Sequence, residues 1–302
     1  MLRPFALHRP GTAEEACGLL ARLGEDAVPY AGGTELLLLM KLGLLRPRHL
    51  IDVKRVAGFA AITDGARLTL GAAVTHRAVE RSPLVGRHCA LLAAVARHVA
   101  NVRVRNVGTV GGNLAFADPH SDLATLFLTL DASVELVSGR GRRELPLSDF
   151  VRGAWATARA PDELVASVRL TPWPSGTAAT YVKFGVHERP TLGVALALCR
   201  ADAGARVGEA RLALGCVDAR PARVPAAEAR LAGVAVAELE DVAGAVAEAA
   251  AAAVDPADDL HGSADYKRAM VVVFVRRALR IAAARARGDA APAARFPHAV
   301  VA

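Results

Sequence analysis

RNVGTVGGNLAFADPHSDLATLFLTLD, residues 105–131, is the stretch of this sequence that carries its clearest structural and functional signal. Its glycines, Gly108, Gly111 and Gly112, lie around Thr109. Glycines at such spacing let a backbone pass close to a ligand and expose several N–H groups in one direction. The stretch therefore predicts a loop that holds phosphate groups.

Polar residues and then an apolar run follow these glycines. Asn113, Asp118 and Asp122 precede the run from Leu123 to Leu130, which has helical character. The N-terminal end of a helix favours anions, so a phosphate is expected there. The polar side chains beside it are expected to bind hydroxyl groups of the same ligand. A glycine-rich turn between a strand and a helix also occurs as a simple tight connection, so the pattern alone leaves both interpretations open.

A second stretch, AVPYAGGTELLLLMKLG at residues 27–43, has the same design. Ala27 to Tyr30 predicts a short strand, and Gly32 and Gly33 lie between that strand and an apolar helix. Two such loops could flank the two phosphates of a dinucleotide. The sequence has neither G-x-G-x-x-G opening a βαβ unit nor G-x-x-x-x-G-K-[ST], so a Rossmann NAD site or a P-loop is disfavoured.

Composition limits the class of protein. The chain has 302 residues, of which 53% are hydrophobic, so it is long enough to bury sizeable cores. Its apolar runs are far shorter than the roughly 18 to 20 residues of a membrane span, and residues 1–16 lack the features of a secretory signal. We therefore expect no membrane span and a cytoplasmic location.

Charge and cysteine content exclude further classes. The net charge is +7, but the arginines are scattered and aromatic residues make up 4% of the chain, so we expect no nucleic-acid partner. Isolated cysteines without a C-x-x-C pair predict neither a disulfide framework nor ligands for an iron–sulfur cluster. These cysteines are Cys17, Cys89, Cys199 and Cys216.

The order of predicted elements indicates an α+β protein with two domains. Pro172-Trp173-Pro174 breaks an alternating strand, so residues 1–172 are predicted to form one domain, with subdomains of about 1–55 and 56–172. Residues 173–286 predict a smaller C-terminal α+β domain with strands and helices. The tail, 287–302, lacks a usable apolar face and is predicted to be flexible. Helices are predicted at 83–99, 236–254 and 263–284.

Both glycine stretches resemble those of a known family. AGGTELLLLMKLG at 31–43 and RNVGTVGGNLAFADPHSDL at 105–123 closely resemble the FAD-binding medium subunit of molybdenum hydroxylases, the xanthine dehydrogenase and carbon monoxide dehydrogenase family. The similarity extends to about residue 284 and includes ELVASVRL, YVKFGVHERPTLGVALAL and SADYKRAMVVVFVRRAL. The resemblance implies non-covalent FAD and a two-subdomain FAD-binding domain of the PCMH type, followed by a smaller C-terminal domain with an antiparallel sheet and helices.

The resemblance also implies which residues bind FAD. The first loop would surround the diphosphate, the second would hold its other side, and Asp122 would bind ribityl or ribose hydroxyls. Val165 matches an apolar wall, and Lys183 matches a lysine near the isoalloxazine edge. The segment HERPTLGVA at 187–195 departs from the pattern, so the residues that shield the ring are not assigned. The full implied set is Pro29, Tyr30, Ala31, Gly32, Gly33, Thr34, Glu35, Leu36, Val99, Ala100, Thr109, Gly111, Gly112, Asn113, Asp122, Val165 and Lys183.

Partners follow from the same resemblance. It implies a small [2Fe–2S] subunit and a large molybdopterin subunit, assembled as a dimer of heterotrimers. This chain would then be an electron-transfer subunit that passes reducing equivalents to a quinone, NAD or oxygen, with no catalytic or metal-ligating residue of its own. The substrate would be chosen by the molybdenum subunit.

Two alternatives stay open. One is a self-contained flavin oxidoreductase of the same fold; if it were a covalent-flavin oxidase, it would need a flavin-linking histidine in its first loop, which the segment 32–35 lacks. A cofactor-free interaction module would not need the two glycine loops, Asn113 or Asp122, all of which are present.

Overall fold

The computed structural model describes residues 2–185, 189–201, 204–289 and 298–302. The chain forms two compact units. Unit 1 comprises Met1–Asp118 and Asp131–Thr171, and unit 2 comprises Pro119–Leu130 and Pro172–Ala302. The sequence placed all of 1–172 in one domain, whereas residues 119–130 group with the C-terminal part of the chain.

Strands and helices are numbered here in chain order. The strands are β1 (Ala6–His8), β2 (Ala27–Tyr30), β3 (His49–Asp52), β4 (Ile62–Thr63), β5 (Leu68–Gly71), β6 (Ser133–Ser138), β7 (Gly141–Pro146), β8 (Val151–Gly153), β9 (Ala156–Thr157), β10 (Leu164–Leu170), β11 (Ala178–Phe184), β12 (Leu192–Ala201), β13 (Arg206–Gly215), β14 (Ala222–Arg223) and β15 (Ala299–Val301). The helices are α1 (Ala13–Leu23), α2 (Leu36–Lys41), α3 (His76–Arg81), α4 (Pro83–His88), α5 (Ala90–Arg97), α6 (Val102–Val107), α7 (Val110–Phe116), α8 (Asp122–Thr129), α9 (Leu147–Phe150), α10 (Pro225–Glu228), α11 (Ala243–Ala252) and α12 (Ala264–Arg287).

Unit 1 begins with a three-stranded parallel sheet in the order β1-β3-β2. Leu7 of β1 pairs with Leu50 of β3, and Pro29 of β2 pairs with Ile51 of the same central strand. Parallel strands need a crossover connection, and α1 supplies it between β1 and β2. Strand β2 then ends at Tyr30, directly before the first glycine stretch.

The second sheet of unit 1 has five antiparallel strands in the order β4-β5-β10-β6-β7. Its central strand β10 is buried along most of its length. A register shift between Val165 and Ser167 marks a β-bulge in the pairing of β10 with β6. Strands β8 and β9 form a separate two-stranded sheet.

Unit 2 is built on a five-stranded antiparallel sheet in the order β14-β13-β12-β11-β15. Val182 and Phe184 of β11 enter the apolar core that the sheet shares with α11 and α12. Because successive side chains of a strand point to opposite faces, Tyr181 and Lys183 lie on the other face. Helix α8, all of whose residues are buried, packs against that face.

Three sequence predictions need correction. The single helix predicted at 83–99 is two helices, because Cys89 leaves helical geometry with φ −158° and ψ 85°. The segment 236–254 begins with a 3₁₀ turn, Val236–Glu238, and only Ala243–Ala252 is α-helical. In the predicted flexible tail, Ala299–Val301 forms β15 because its backbone pairs with β11, while residues 290–297 lie outside the described residues.

Candidate functional site

The first glycine loop of unit 1 connects β2 to α2 and presents unused backbone donors. Gly33 has φ +72°, in the left-handed region that favours glycine. In the part of the chain that the structure describes, the amide N–H groups of Gly32, Gly33 and Thr34 have no hydrogen-bond acceptor. Successive amides around a left-handed residue are typical of the concavities in which backbones bind anions. The loop can therefore accept a phosphate group.

Lys54 holds this loop from one side. Its Nζ donates to the carbonyl oxygen of Ala31 at 3.2 Å and lies 2.8 Å from Oδ1 of Asp52. The same ammonium group lies 3.8 Å from the ring centroid of Tyr30. These contacts fix the start of the loop, and the Asp52 carboxylate balances the charge of the ammonium group.

Backbone donors in the second glycine loop are used within unit 1. Thr109 caps α7, and its Oγ1 accepts the N–H of Gly112 at 3.1 Å. The N–H of Gly111 donates to the carbonyl of Ala72 at 2.9 Å, and that of Asn113 donates to the carbonyl of Thr109 at 2.9 Å. The sequence interpretation, in which these glycines expose their amides to a ligand, is therefore wrong for Gly111 and Gly112.

Packing explains the glycines instead. A Cβ on Gly111 would lie 2.4 Å from the Cβ of Ala72. A Cβ on Gly32 would lie 2.2 Å from the carbonyl oxygen of Val107 and 2.8 Å from the Cα of Gly108. Real Cβ atoms do not approach other atoms so closely, so each glycine permits a backbone contact. The contact at Gly32 brings the two predicted loops together in unit 1.

Two further predicted residues, Val99 and Ala100, form the link between α5 and α6. Arg105 Nη1 donates to the carbonyl of Val99 at 3.0 Å and to that of Ala100 at 2.9 Å. Ala100 has φ +42°, a left-handed value that is uncommon outside glycine. The two hydrogen bonds from Arg105 therefore stabilise a backbone bend at Ala100 that its positive φ alone would disfavour.

Val165, the predicted apolar wall, lies on β10 and is buried. The carbonyl of its neighbour Ala166 accepts the N–H of Ala72 at 2.9 Å. Ala72 is also the residue against which Gly111 packs. Strand β10 is thus connected to the second glycine loop through one intermediate residue.

His76 lies behind the second loop. Its N–H donates to the carbonyl of Gly108 at 3.0 Å, and its ring is buried against the same residue. Burial, together with the positive charge of Arg105, lowers the pKa of His76 to about 4. The imidazole is therefore neutral near pH 7.

Unit 2 brings the two remaining predicted residues into direct contact. Asp122 is the buried first residue of α8, and Lys183 Nζ donates to its Oδ2 at 2.6 Å. Tyr181 Oη donates to the other carboxylate oxygen, Oδ1, at 2.9 Å. Burial and the charge of Asp122 raise the pKa of Tyr181 well above its usual value, so the phenol stays a donor.

Sequence reasoning missed Lys54, Ala72 and Tyr181. Lysine occurs at only four positions in this arginine-rich chain, and this rarity could have identified Lys54 as a candidate. Tyr181 precedes Lys183 by two residues on a strand, so both side chains had to share a face. Ala72 offers no signal in the sequence, because its role depends on what packs against it.

Two features predicted to be absent can be compared with the structure. Among residues 2–185, 189–201, 204–289 and 298–302, no helix is long and apolar enough to cross a membrane. The same described residues include no group of three or more histidine, cysteine, aspartate and glutamate side chains that could hold a metal ion.

Comparison with known proteins identifies relatives over most of the chain. A family profile described as the FAD binding domain in molybdopterin dehydrogenase matches residues 3–173, and one described as the CO dehydrogenase flavoprotein C-terminal domain matches residues 187–282. The carbon monoxide dehydrogenase medium chain of Hydrogenophaga pseudoflava is 35% identical over 282 residues, covering 93% of this chain and 98% of that one. The nicotine 6-hydroxylase medium subunit of Paenarthrobacter nicotinovorans is 34% identical, covering 91% and 96%.

Solved structures agree with these relatives. Carbon monoxide dehydrogenase from Hydrogenophaga pseudoflava, in a form that lacks the Mo-pyranopterin moiety of the molybdenum cofactor, matches with a TM-score of 0.89 and 36% identity, covering 94% of this chain and 99% of that chain. Quinoline 2-oxidoreductase from Pseudomonas putida 86 matches with a TM-score of 0.88 and 30% identity, covering 95% and 99%.

Fold and profiles together define the class of protein as an FAD-binding flavoprotein subunit of an oxidoreductase. The chain belongs to the family of FAD-binding medium subunits of molybdenum hydroxylases, with relatives in carbon monoxide dehydrogenase and xanthine dehydrogenase. The resemblance inferred from the two glycine stretches and the α+β fold class are thereby confirmed. The individual residue contacts with FAD remain predictions.

Proposed function

We propose that this chain binds FAD non-covalently and serves as the electron-transfer subunit of a molybdenum hydroxylase. The observation that carries the proposal is the set of three unused amides at Gly32, Gly33 and Thr34. They lie in the loop that resembles the diphosphate loop of the family, whose start is held by the hydrogen bond from Lys54 to the carbonyl oxygen of Ala31. When bound, FAD supplies the redox chemistry, and the protein supplies binding, orientation and electrostatics.

The first loop performs the diphosphate binding in this proposal. Backbone amides have a fixed direction and cost no side-chain entropy, so they are suited to a charged group that must be held in one place. Lys54 keeps the loop in its binding conformation through Ala31 and Tyr30. The missing side chain at Gly32 also lets the loop approach Val107 closely, because a Cβ there would lie 2.2 Å from the carbonyl oxygen of Val107.

Hydroxyl groups of FAD are assigned to Asp122, whose oxygens can accept further hydrogen bonds besides those from Tyr181 and Lys183. Each carboxylate oxygen has two lone-pair positions, and the structure uses one on each with these donors. Lys183 supplies a positive charge to the same site. Thr109 and Asn113 are proposed to act at the other glycine loop, through side-chain groups and the exposed surface at Gly112.

Electrons must reach this chain from a partner subunit. Its cysteines, all within the described residues, are buried and dispersed along the chain, so they are not the set of thiolates that a [2Fe–2S] cluster needs. We propose a small iron–sulfur subunit as the donor and a large molybdopterin subunit as the site of substrate oxidation, in a dimer of heterotrimers. A quinone, NAD or oxygen would accept the electrons. Relatives named as medium chains or medium subunits support this assignment.

The test compares two glycine-to-alanine variants of the full chain, each at a glycine with positive φ. Gly33→Ala places a Cβ at φ +72° within the proposed diphosphate loop, and Gly24→Ala does the same at φ +57° after α1, where a Cβ has no neighbour within 4 Å. We expect the wild-type and Gly24→Ala chains to bind one FAD that acid releases, and Gly33→Ala to bind it far more weakly.

Four outcomes would contradict the proposal in different ways. Stoichiometric FAD in folded Gly33→Ala would remove the loop assignment. Flavin that acid cannot release would indicate a covalent flavin oxidase, and a wild-type chain that binds no FAD would indicate a cofactor-free module. Substrate-dependent flavin reduction by this chain alone would contradict the need for partner subunits.

A further inference from the structure

Strand β11 carries two polar side chains that converge on one carboxylate. Tyr181 and Lys183 are two residues apart, so they share the face of the unit 2 sheet that α8 covers. Tyr181 Oη lies 2.9 Å from Asp122 Oδ1, and Lys183 Nζ lies 2.6 Å from Asp122 Oδ2. Tyr181 is only 2% exposed and Asp122 only 6%.

Two donors on two oxygens do something that one donor cannot. The carboxylate of an aspartate rotates in a broad, roughly two-fold potential about its last side-chain bond. A single lysine, on a flexible four-carbon stem, would leave that rotation open. The buried phenol of Tyr181 prevents this rotation, because its hydroxyl donor is fixed by a rigid ring whose position is set by the sheet.

A pair of glycines provides the space for this arrangement. Gly193 of β12 and Gly215 of β13 are directly opposite each other in the sheet register. A Cβ on Gly193 would lie 2.4 Å from Tyr181 Oη, and one on Gly215 would lie 1.8 Å from Thr125 Oγ1 of α8. The first glycine therefore admits the phenol, and the second lets α8 approach the sheet closely enough for Asp122 to reach it.

We propose that Tyr181 is a positioning residue for FAD, which holds the carboxylate of Asp122, and through it the ammonium group of Lys183, in the orientation that the cofactor requires. The Gly193–Gly215 pair contributes to this positioning by leaving space for the phenol and for α8. The inference rests on the proposed function, since Asp122 and Lys183 are assigned to FAD there, and it adds a residue that does not itself touch the cofactor.

The experiment measures FAD affinity and the midpoint potential of the bound flavin in the full chain carrying Tyr181→Phe. This change removes the Oη donor and leaves the ring packing intact. We expect the Kd for FAD to rise about tenfold, the scale of one lost hydrogen bond to a charged group. We also expect a more negative potential, because the charge of Asp122 loses a compensating donor. Tyr266→Phe, at a tyrosine that is 40% exposed, is the matched control and should change neither quantity.

Two further variants separate positioning from general stability. Gly193→Ala retains the phenol but displaces it, so it should raise the Kd as Tyr181→Phe does. In an Asp122→Asn background, Tyr181→Phe should have little additional effect, because the two residues act as one unit. A full additional tenfold loss in that background would overturn the inference.

Failure of this inference is distinguishable from failure of the proposed function. A wild-type chain that binds no FAD would overturn both. If wild type binds FAD and Tyr181→Phe has the same Kd and the same potential, the positioning role alone is overturned. This holds even if Tyr181→Phe unfolds at a lower temperature.

Discussion

Gly32 and Val107 are in backbone contact: a Cβ built on Gly32 would lie 2.2 Å from the carbonyl oxygen of Val107. We therefore predict that Gly32→Ala forces the two glycine loops of unit 1 apart and destabilises the chain by about 1 to 3 kcal/mol, the usual scale of overpacking. FAD affinity should fall with it. Urea unfolding followed by circular dichroism, together with FAD titration, measures both effects.

Gly18→Ala is the control for that prediction. Gly18 lies in α1, and a Cβ there would have no neighbour within 4 Å. Alanine is a better helix former than glycine, so this variant should be more stable by up to about 1 kcal/mol. Equal stability of the two variants would contradict the packing role of Gly32.

Removal of the Lys54 ammonium group should weaken FAD binding. Lys54→Met keeps the stem but loses the contacts with Ala31, Asp52 and the Tyr30 ring. We expect the Kd to rise about three- to tenfold, from one lost hydrogen bond and one lost cation–π contact. Lys41→Met, at an exposed lysine in the last turn of α2, is the control. The prediction fails if both variants bind FAD alike.

Arg105→Lys should loosen the bend between α5 and α6. Lysine lacks the rigid planar guanidinium whose Nη1 reaches two carbonyl groups, those of Val99 and Ala100, so its flexible ammonium group should hold them less firmly. We expect a loss of about 1 to 3 kcal/mol in unfolding free energy and faster proteolysis in the segment 98–101. The exposed Arg103 on the same helix provides the control, Arg103→Lys, which should behave as wild type. Unchanged proteolysis at the bend in Arg105→Lys would refute the assigned role.

His76 should make the chain sensitive to acid. Its pKa is about 4 in the folded chain and 6.5 in its reference state, so below pH 6.5 the unfolded chain binds a proton that the folded chain does not. The stabilisation that neutral His76 represents is therefore complete above pH 6.5 and is lost as the pH falls toward 4, by up to about 3 kcal/mol.

The measurement is the free energy of unfolding at pH 7 and at pH 4.5 for three chains. His76→Gln should lose less stability than wild type between these two pH values, because glutamine does not titrate. His98→Gln, at an exposed histidine just after α5, should lose as much as wild type. An identical pH dependence in wild type and His76→Gln would show that other groups cause the loss.

Local features of this fold could be predicted from the sequence. The strand Ala27–Tyr30 has the bounds that its apolar pattern and following glycines predict. Helix α8 lies where the apolar run begins, and a boundary falls within a residue or two of Pro172. In each case the signal and the structure depend on neighbouring residues, so the sequence order contains the necessary information.

Features that depend on distant residues could not be predicted. The amide of Gly111 is consumed by the carbonyl of Ala72, and only the folded chain brings these two residues together. Asp122 and Tyr181 are separated by 59 positions in the sequence. A glycine pattern therefore indicates that a backbone passes close to something, but it does not say whether that neighbour is a ligand or another part of the chain.

Residues 119–130 belong to unit 2 although they lie in the sequence between the two parts of unit 1. A gene cut once at codon 172 would give an N-terminal fragment carrying α8, whose residues are all buried in the intact chain. The C-terminal fragment would keep Tyr181 and Lys183 but lose the carboxylate that binds them. Chimaeras that exchange one unit between two relatives therefore require three junctions, after residues 118, 130 and 171, with both parts of each unit taken from the same parent.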